Sequence, residues 1–542
     1  MTTPDCTANI VIIGAGVAGL YLALKLSPRP VTVITTATLD DGASGASAQD
    51  GIAAAIGPND TVDAHAADTI SAGTGLVNEA VAKMIAREAA QQVQDLSNYG
   101  VAFEHDDNGD FKLSRAAAHD VERVAHVNGD GTGKAIMAAL IDAVRATPSI
   151  TVLEGCEAQE LIGEGDGLQQ RVTGLYLSRP DDAAARYKVT NISAIILATG
   201  GIGALYRLTT NPAYARGDGL ALGARAGAIV ADAEFVQFHP TAIDIAQDPM
   251  PIAIEALRSE GAALVDGNGR RFLTDLHADA ELAASDIVAR AVHQQIAAGK
   301  GAFLDCTNTI GSTFESRFPM VYRNCMTAGI DPSIEPIPVA PAAHYHIGGL
   351  RTDTQARTNV AGLWAVGEVA STGIHGANEV TSNALLEAVV MAARAAEDIA
   401  QAVTEDVGMS ANNIMRERSP HLPDFGARAA GLAMIRETMS TNVVVERDDT
   451  RLRQALQTLK DIAEAGGGDP VIENATLTAR FVAEAALRRR ESRGAHARAD
   501  YPGTDPALEK SRTMTLAGLS LRDSLASGEL FSEITAAGGT LH

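Results

Sequence analysis

The sequence predicts an α/β protein with a parallel sheet built from two distant segments of the chain, an inserted α+β domain between them and a helical C-terminal domain. Three observations support this prediction: a glycine-rich turn after the first apolar run, further strand-like runs far along the chain, and long helical patterns in its last part. The chain has 542 residues, which is enough for two or three domains.

The N-terminal segment has the pattern of a βαβ unit. An apolar run typical of a buried strand precedes Gly14, a helical pattern follows Gly19, and a second strand-like run ends at Thr35. The turn reads Gly-Ala-Gly-Val-Ala-Gly, a spacing that lets backbone approach a pyrophosphate at a helix N-terminus. It predicts a Rossmann-like dinucleotide site. Thr35 and Thr36 stand where a ribose-binding acid is usual, so the motif by itself leaves NAD and FAD both open.

The remaining strands of this sheet lie far along the chain. Residues 192–198 and 363–366 are short β-branched and apolar runs, each followed by glycine. The stretch between them is therefore an insertion, and helical patterns dominate after residue 410, the longest at 449–465 and 474–490. We assign a nucleotide-binding domain to residues 1–230 and 346–405, a capping domain to 231–345 and a helical domain to 410–542.

The composition excludes several classes of protein. A formal charge of −24 argues against a nucleic-acid partner, whose phosphates require a basic face. We find no apolar stretch long enough to span a bilayer and no secretory signal. The four cysteines form neither a Cys-x-x-Cys pair nor a metal-ligand cluster, so we expect reduced thiols, a cytoplasmic location and no metal site.

Residues 375–387, His-Gly-Ala-Asn-Glu-Val-Thr-Ser-Asn-Ala-Leu-Leu-Glu, carry the most specific signal in the chain. They resemble a signature of the succinate dehydrogenase/fumarate reductase flavoprotein superfamily, most closely its L-aspartate oxidase branch. The resemblance extends from Ile10 to Pro502. It implies that the Rossmann-like domain binds FAD.

Several segments resemble the FAD-binding elements of this family, among them 198–201, 217–219 and 367–369. Carboxylates in such loops accept hydrogen bonds from FAD hydroxyls, and a helix N-terminus near the flavin stabilises negative charge on it. The resemblance assigns cofactor binding to Gly14, Gly16, Ala18, Gly19, Ser44, Ser47, Gln49, Gly51, Asp218, Glu368, Ala384 and Leu385.

Three further elements resemble those that surround a small dicarboxylate in the family: 238–241, 257–261 and 342–345. An arginine fork suits a carboxylate, and histidines donate further hydrogen bonds. The resemblance implies catalytic roles for His239, Arg258 and His344 and substrate binding by Thr241, Glu379 and Ser382.

The chain departs from the family at three positions. Glu379 replaces an arginine that holds a substrate carboxylate, Ala116 replaces a glutamate that recognises the aspartate ammonium, and Asp50 replaces a glycine beside the flavin. An acid is thus lost at 116 and gained at 379. One hypothesis is that the ammonium-binding acid has moved; the alternative is that Glu379 points to solvent.

The resemblance implies an amino-acid oxidase that converts the substrate to an imine, passes hydride to FAD and reduces oxygen to hydrogen peroxide. In the family the product iminoaspartate feeds quinolinate and NAD synthesis, so a hand-off to a quinolinate-forming enzyme is a further expectation. Three alternatives remain open: an oxidase of a different amine or amino acid, a fumarate-reductase-like enzyme, and a non-catalytic flavin-binding paralogue.

Overall fold

Five parallel strands form the sheet that carries the glycine-rich turn. The computed structural model describes residues 8–41, 43–116, 118–165, 171–403 and 413–519. In spatial order the strands are Leu363–Ala365, Ala194–Leu197, Ile10–Ile13, Val31–Ile34 and Ile150–Leu153. All neighbours pair in parallel, so strands from both ends of the predicted insertion do share one sheet.

Both faces of this sheet are buried, because alternate side chains of each strand point to opposite sides. Ile10 and Ile12 pack with the helices on one face, whereas Val11 and Ile13 pack against a second sheet on the other. The helices that cover the first face are Val17–Leu26, Glu79–Asn98, Thr132–Arg145 and Asn383–Ala402.

The second sheet is antiparallel, with strands in the order Asn413–Arg418, Ala185–Thr190, Arg171–Ser178 and Glu157–Glu164. The strand Asn413–Arg418 lies in the segment that the sequence assigns to the helical domain, where no strand was predicted. It pairs along its full length with Ala185–Thr190 and so extends the nucleotide-binding part of the fold.

The inserted segment contains a four-stranded antiparallel sheet in the order Val236–Ile243, Ile337–His346, Phe303–Asp305 and Ala263–Val265. Its helices are Glu255–Ser259, Ser285–Ala297, Phe314–Arg317 and Pro319–Thr327. The two long strands lie side by side and present one histidine each, His239 and His344, to the same region. These two strands, called the histidine-bearing frame below, position the candidate site.

Three helices near the C-terminal end pack on one another: Phe425–Asn442, Asp449–Ala465 and Pro470–Arg488. Each begins at an aspartate whose side chain accepts a backbone N–H of the first turn, which satisfies donors that the helix cannot. The helix predicted at 449–465 has the same bounds in the structure. The helix predicted at 474–490 instead spans Pro470–Arg488.

Short elements complete the described part of the fold. The helices are Val62–Ala72 and Asp218–Arg225. The strands are Ile52–Ala53, Leu113–Ser114, Val124–Ala125, Val230–Ala231, Gly349–Arg351, Ala370–Ser371, Glu446–Arg447, Ala497–Arg498 and Thr513–Met514. Within the described ranges, no helix is both long enough and apolar enough to cross a membrane. The domain boundaries given above remain predictions.

Candidate active site

A cavity runs from the carboxyl ends of the parallel strands to the N-terminus of the Asn383–Ala402 helix. The predicted cofactor residues that line it are Gly14, Gly16, Ala18, Ser44, Asp218, Glu368, Ala384 and Leu385. A crevice at this end of a parallel sheet is where open α/β folds bind nucleotides. The geometry therefore brings together residues that are widely separated in the sequence.

The glycine-rich turn closes one wall of this cavity. A Cβ on Gly14 would lie 2.1 Å from the carbonyl oxygen of Ala198, and the φ of Gly14 is +115°. A Cβ on Gly19 would lie 2.0 Å from the oxygen of Gly14. A Cβ on Gly16 would instead make only an ordinary van der Waals contact, with the Cβ of Ala43 at 3.7 Å. The first and third glycines thus serve packing, and the second leaves room for a ligand beside the helix N-terminus.

The polar groups of the cavity suit a ligand with many hydroxyls. Oxygens of Thr199, Asn211 and Asp218 are buried without a hydrogen-bond partner among the described residues. Glu368 accepts the backbone N–H of His346 at 2.8 Å, and burial raises the pKa of this carboxyl to about 7. Unsatisfied acceptors of this kind are costly unless a bound group donates to them. The residues present therefore fit FAD.

Not every predicted cofactor residue lines this cavity. Gln49 and Gly51 line a second, neighbouring cavity, and a Cβ on Gly51 would lie 2.3 Å from the Ala125 oxygen. Gly19 packs inside the turn, and the side chain of Ser47 lies outside what the structure describes. Their roles as cofactor residues remain predictions.

His239 and His344 face each other at the edge of the FAD cavity. Their ring centroids are 5.3 Å apart, and His344 Nδ1 lies 2.8 Å from the Thr210 hydroxyl. The backbone N–H of Thr241 donates to His239 Nδ1 at 3.3 Å, so the proton of a neutral His239 is on Nε2. Burial lowers the pKa of His239 well below its ordinary value and that of His344 to about 4. Both imidazoles are therefore neutral near pH 7.

Arg258 lies close to these rings, but two of its three guanidinium nitrogens already bind protein acceptors. Its side chain is 2% exposed, Nη1 donates to the Glu281 carbonyl oxygen at 2.6 Å, and Nη2 contacts Glu255 at 3.3 Å. Nε is the nitrogen without a partner among the described residues. A role in anchoring a carboxylate remains a prediction, and it requires Arg258 to use Nε or to exchange a present partner.

Thr241 and Ser382 differ in what their hydroxyls do. Thr241 is fully buried and donates to the Ala253 carbonyl oxygen at 2.7 Å, which is a structural bond. Ser382 has a left-handed backbone with φ of +75° directly before the Asn383–Ala402 helix, and its Oγ is buried without a described partner. Ser382 also lines the second cavity. A strained residue with an unsatisfied hydroxyl favours a ligand contact.

Glu379 is partly exposed, and its carboxylate is held against the strands that carry the histidines. Its carboxylate accepts hydrogen bonds from the side chain of Gln237 and from the backbone N–H of Ala384. Gln237 pairs with Tyr345 in the two strands that carry the histidines, so Glu379 contacts the same frame. Burial raises the pKa of Glu379, while His375 and these two hydrogen bonds oppose the rise.

Asp50 lies in the second cavity with Glu255, Ser382 and Ala116. Burial and the charges of Glu255 and Glu379 together raise its pKa to about 7, and the charge of Arg258 opposes the rise. Two of the three departures from the family pattern, Asp50 and Ala116, therefore line the same cavity.

Sequence reasoning missed several residues of the site. Glu255 accepts three hydrogen bonds on Oε2, from Arg258 at 3.3 Å, Ser285 at 3.3 Å and Thr381 at 3.1 Å. Its position three residues before Arg258 on a helix was the available signal, since side chains at i and i+3 share a face. Ser285 and Thr381 carry no signal by themselves.

A second missed group lies beside the FAD cavity. Tyr345, which lines the cavity, donates to Glu387 at 3.0 Å and lies 3.3 Å from His375 Nε2. His375 Nε2 is 3.0 Å from the same Glu387 carboxylate. Burial alone would lower the pKa of His375, but Glu387 and Glu379 raise it above its ordinary value. At the other end of the cavity, Glu157 supplies a carboxylate where the usual ribose-binding acid is absent.

The fold, the hydroxyl-accepting cavity and the adjacent histidine–arginine cluster define an FAD-dependent oxidoreductase. Comparisons with known proteins support this class. The FAD binding domain family matches residues 9–385, and the fumarate reductase flavoprotein C-terminal family matches residues 471–522. The chain belongs to the L-aspartate oxidase family of the succinate dehydrogenase/fumarate reductase flavoproteins.

Curated relatives match almost end to end. The L-aspartate oxidase of Caulobacter vibrioides is 46% identical over 92% of this chain and 94% of its own length, and that of Mesorhizobium japonicum is 45% identical over 93% of each. A FrdA variant of the E. coli quinol fumarate reductase superposes with a TM-score of 0.81 at 24% identity, covering 94% of this chain and 95% of that one. Sdh1 of Mycobacterium smegmatis superposes with a TM-score of 0.75 at 26% identity, covering 93% of each.

Proposed function

We propose that the protein is an amino-acid oxidase that converts the Cα–N bond of its substrate to an imine and uses oxygen as the electron acceptor. The net reaction removes a hydride from Cα and a proton from nitrogen, and oxygen takes up both electrons and two protons to become hydrogen peroxide. FAD, when bound, supplies the two-electron acceptor for the hydride. The observation that carries the proposal is the His239–His344 pair, which lies at the edge of the FAD cavity.

The histidines orient the substrate in this proposal. A neutral His239 with its proton on Nε2 donates a hydrogen bond from that atom to the α-carboxylate. Thr210 fixes the ring of His344 through Nδ1, which leaves Nε2 to face the substrate. Hydrogen bonds from fixed rings hold the Cα–H toward the cofactor, and such positioning is a large part of catalysis.

Arg258 and the buried strands complete the site. Nε of Arg258 is the cationic donor available to the α-carboxylate, and the Glu255 contact fixes the guanidinium. The two histidine-bearing strands shield the reacting atoms from water, since His239 is 8% exposed. A water-poor site prevents hydrolysis of the imine before release.

The test is an aerobic assay of purified holoprotein against a panel of amino acids, with peroxide and the ammonia from imine hydrolysis measured together. Equal amounts of both products with at least one amino acid support the proposal. Under anaerobic conditions, reoxidation of the cofactor by fumarate without peroxide chemistry would instead identify a fumarate-reductase-like enzyme. A yellow protein inert to every amine and dicarboxylate would identify a non-catalytic paralogue.

Two narrower statements belong to the same proposal. A hand-off of the product to a quinolinate-forming enzyme requires that the protein oxidises aspartate. The assay with aspartate in the panel therefore tests this expectation. A cytoplasmic location is supported by Cys156, Cys306 and Cys325, which are buried and unpaired thiols in the described part of the chain.

A further inference from the structure

The pairing of the histidine-bearing frame is irregular at His344. Gln237 pairs with Tyr345 and Phe238 pairs with Ala343, so His344 is an extra residue in its strand, which is the pattern of a β-bulge. Consecutive side chains of a regular strand point to opposite faces, yet His344 and Tyr345 both line the FAD cavity. The bulge therefore sets the direction of the His344 ring.

Side chains from other segments hold both residues of the bulge. Asn211 donates to the His344 carbonyl oxygen at 3.0 Å, and the Thr210 hydroxyl lies 2.8 Å from Nδ1 of the His344 ring. On the other side, the Tyr345 hydroxyl donates to the Glu387 carboxylate at 3.0 Å. His344 is thus fixed by residues 210–211, and Tyr345 is fixed by Glu387.

The Glu387 carboxylate is a rigid acceptor. The residue is 2% exposed and lies near the N-terminus of the helix Asn383–Ala402, which lines the FAD cavity at that end. Its Oε1 accepts the Thr372 hydroxyl, and its Oε2 lies 3.0 Å from His375 Nε2. A buried carboxylate with partners on both oxygens cannot turn without leaving some of them unpaired. Burial and the charge of Glu387 raise the pKa of Tyr345 well above its ordinary value, so the Tyr345 hydroxyl keeps its proton and stays a donor.

We infer that Glu387 is a positioning residue of the proposed oxidase: by holding the Tyr345 hydroxyl, it fixes the bulge that directs the His344 ring toward the substrate. The inference rests on the proposed function, in which His344 orients the substrate. A displacement of about 1 Å at a reacting centre can lower a rate about a hundredfold. Arg258 and His239 still hold the α-carboxylate when His344 moves, so loss of the Tyr345–Glu387 bond lowers kcat more than it raises KM.

Tyr345→Phe tests this bond directly, because it removes the hydroxyl and keeps the ring. With an amino acid that the wild type oxidises, we expect kcat to fall at least tenfold while KM changes less than threefold. The matched control is Tyr187→Phe. Tyr187 also donates to a buried carboxylate, that of Asp182 at 2.7 Å, but it lies in the strand Ala185–Thr190 of the second sheet. We expect its kcat to stay within twofold of wild type.

Glu387→Gln tests whether the two residues act through one bond. The amide has the shape of the carboxylate but is a weaker acceptor for the hydroxyl, so we expect kcat to fall at least threefold. In a protein that already carries Tyr345→Phe, the same change should alter kcat less than twofold, because the bond is already absent. Multiplication of the two separate losses in the double variant would show that Glu387 acts independently of Tyr345.

The position of His344 can be followed without turnover. Purified holoprotein is treated with diethyl pyrocarbonate, and the rate of carbethoxylation of His344 is measured by peptide mass spectrometry. We expect His344 to react at least threefold faster in Tyr345→Phe and in Glu387→Gln than in wild type, because the loosened bulge exposes the ring. In Tyr187→Phe the rate should equal that of wild type.

The outcomes separate this inference from the proposed function. Equal losses of kcat in Tyr345→Phe and Tyr187→Phe, or a higher KM with unchanged kcat in Tyr345→Phe, overturn the inference. Loss of FAD from Tyr345→Phe, seen in the visible absorbance, also overturns it, because the hydroxyl would then serve cofactor binding. If the wild type oxidises no amino acid while His344 reacts faster in Tyr345→Phe and Glu387→Gln, the oxidase function is removed and the positioning of His344 by Glu387 is retained. Unchanged carbethoxylation in both variants overturns the positioning whatever the activity.

Discussion

Single residues decide which ligands this fold accepts. Glu379 is the clearest case, because a single acid replaces the arginine found in the family pattern and is fixed by two hydrogen bonds. At about 4 Å and an effective dielectric of 20, one unit charge contributes about 4 kcal/mol, close to a thousandfold in affinity. We expect a charge reversal at such a position to change which ligands bind without changing the fold.

Gly14 decides whether the cofactor cavity can form. In Gly14→Ala, the added Cβ would lie 2.1 Å from the Ala198 oxygen on a backbone with φ of +115°. We expect the variant to purify with little or no FAD and to unfold at a lower temperature. The control is Gly100→Ala, where φ is +105° and a Cβ would meet nothing within 4 Å. That variant carries only the backbone strain, about 1–2 kcal/mol, and equal FAD loss in both variants would contradict the role given to Gly14.

Asp50 is expected to make the folded protein less stable as the pH rises toward neutral. Burial raises its pKa to about 7, so the folded protein keeps a proton that the unfolded chain releases above about pH 4. Between about pH 4 and 7 the folded state binds more protons, and the contribution of Asp50 to the free energy of unfolding falls as pH rises. We expect Asp50→Asn to flatten this decline and to raise the melting temperature above pH 7.

The measurement is the melting temperature of wild type and variant across a pH series. Asp107→Asn is the control, because Asp107 is exposed. An Asp50→Asn curve parallel to wild type would show that Asp50 is not protonated in the folded state near neutral pH.

At the scale of elements, a buried charge network supports the loop that carries Glu379. Arg123 is fully buried and donates to Asp60 at 2.9 Å, to Asp68 at 2.6 Å and to His119 Nδ1 at 3.1 Å. His119 Nε2 lies 3.1 Å from the carbonyl oxygen of Thr381. The network links the start of the Val62–Ala72 helix to the substrate loop.

We expect Arg123→Met to destabilise the protein by about 3–5 kcal/mol, because two buried carboxylates lose their cation. Substrate affinity should fall as well, since Thr381 loses its support through His119. Denaturant unfolding and ligand titration measure the two effects. Arg145→Met is the control: its pair with Asp40 is 49% and 72% exposed, and such pairs contribute about 0–1 kcal/mol. Similar losses of stability and of ligand affinity in both variants would show that the Arg123 network does not support the substrate loop.

The sequence was sufficient for elements whose pattern is local. The βαβ unit, the distant strands of the parallel sheet and the Asp449–Ala465 helix could all be predicted, because period and capping residues are readable in a single chain. The strand Asn413–Arg418 could not, since its alternating charges resemble an exposed segment and its pairing partner is far away in sequence. In the site, Ser285 and Thr381 become recognisable only when folding brings their hydroxyls to Glu255.

At the scale of the whole molecule, the cofactor should bind the two parts of the split domain together. The FAD cavity is lined from Ile13 near the N-terminus to Ala388 in the long helix, so a bound FAD contacts segments that separate on unfolding. A ligand that binds only the folded state stabilises it by mass action.

We expect FAD at about a hundred times its Kd to raise the free energy of unfolding of the apoprotein by about 2.7 kcal/mol. Chemical unfolding of the apoprotein with and without added FAD measures this change. NAD at the same concentration should stabilise the apoprotein less, because it lacks the flavin ring and ribityl chain that would reach Glu368 and Ala384 in the cavity. Equal stabilisation by NAD would contradict the cofactor assignment.

Oxidation of an amino acid beside the His239–His344 pair is the central claim, and one kinetic comparison tests it most directly. The measurement is kcat/KM for peroxide release with L-aspartate, in wild type and in Glu379→Arg. We expect the variant to gain aspartate turnover, because a guanidinium replaces a carboxylate next to the strands that carry the histidines. No peroxide from any amino acid in wild type, and an unchanged rate with aspartate in Glu379→Arg, would contradict the claim.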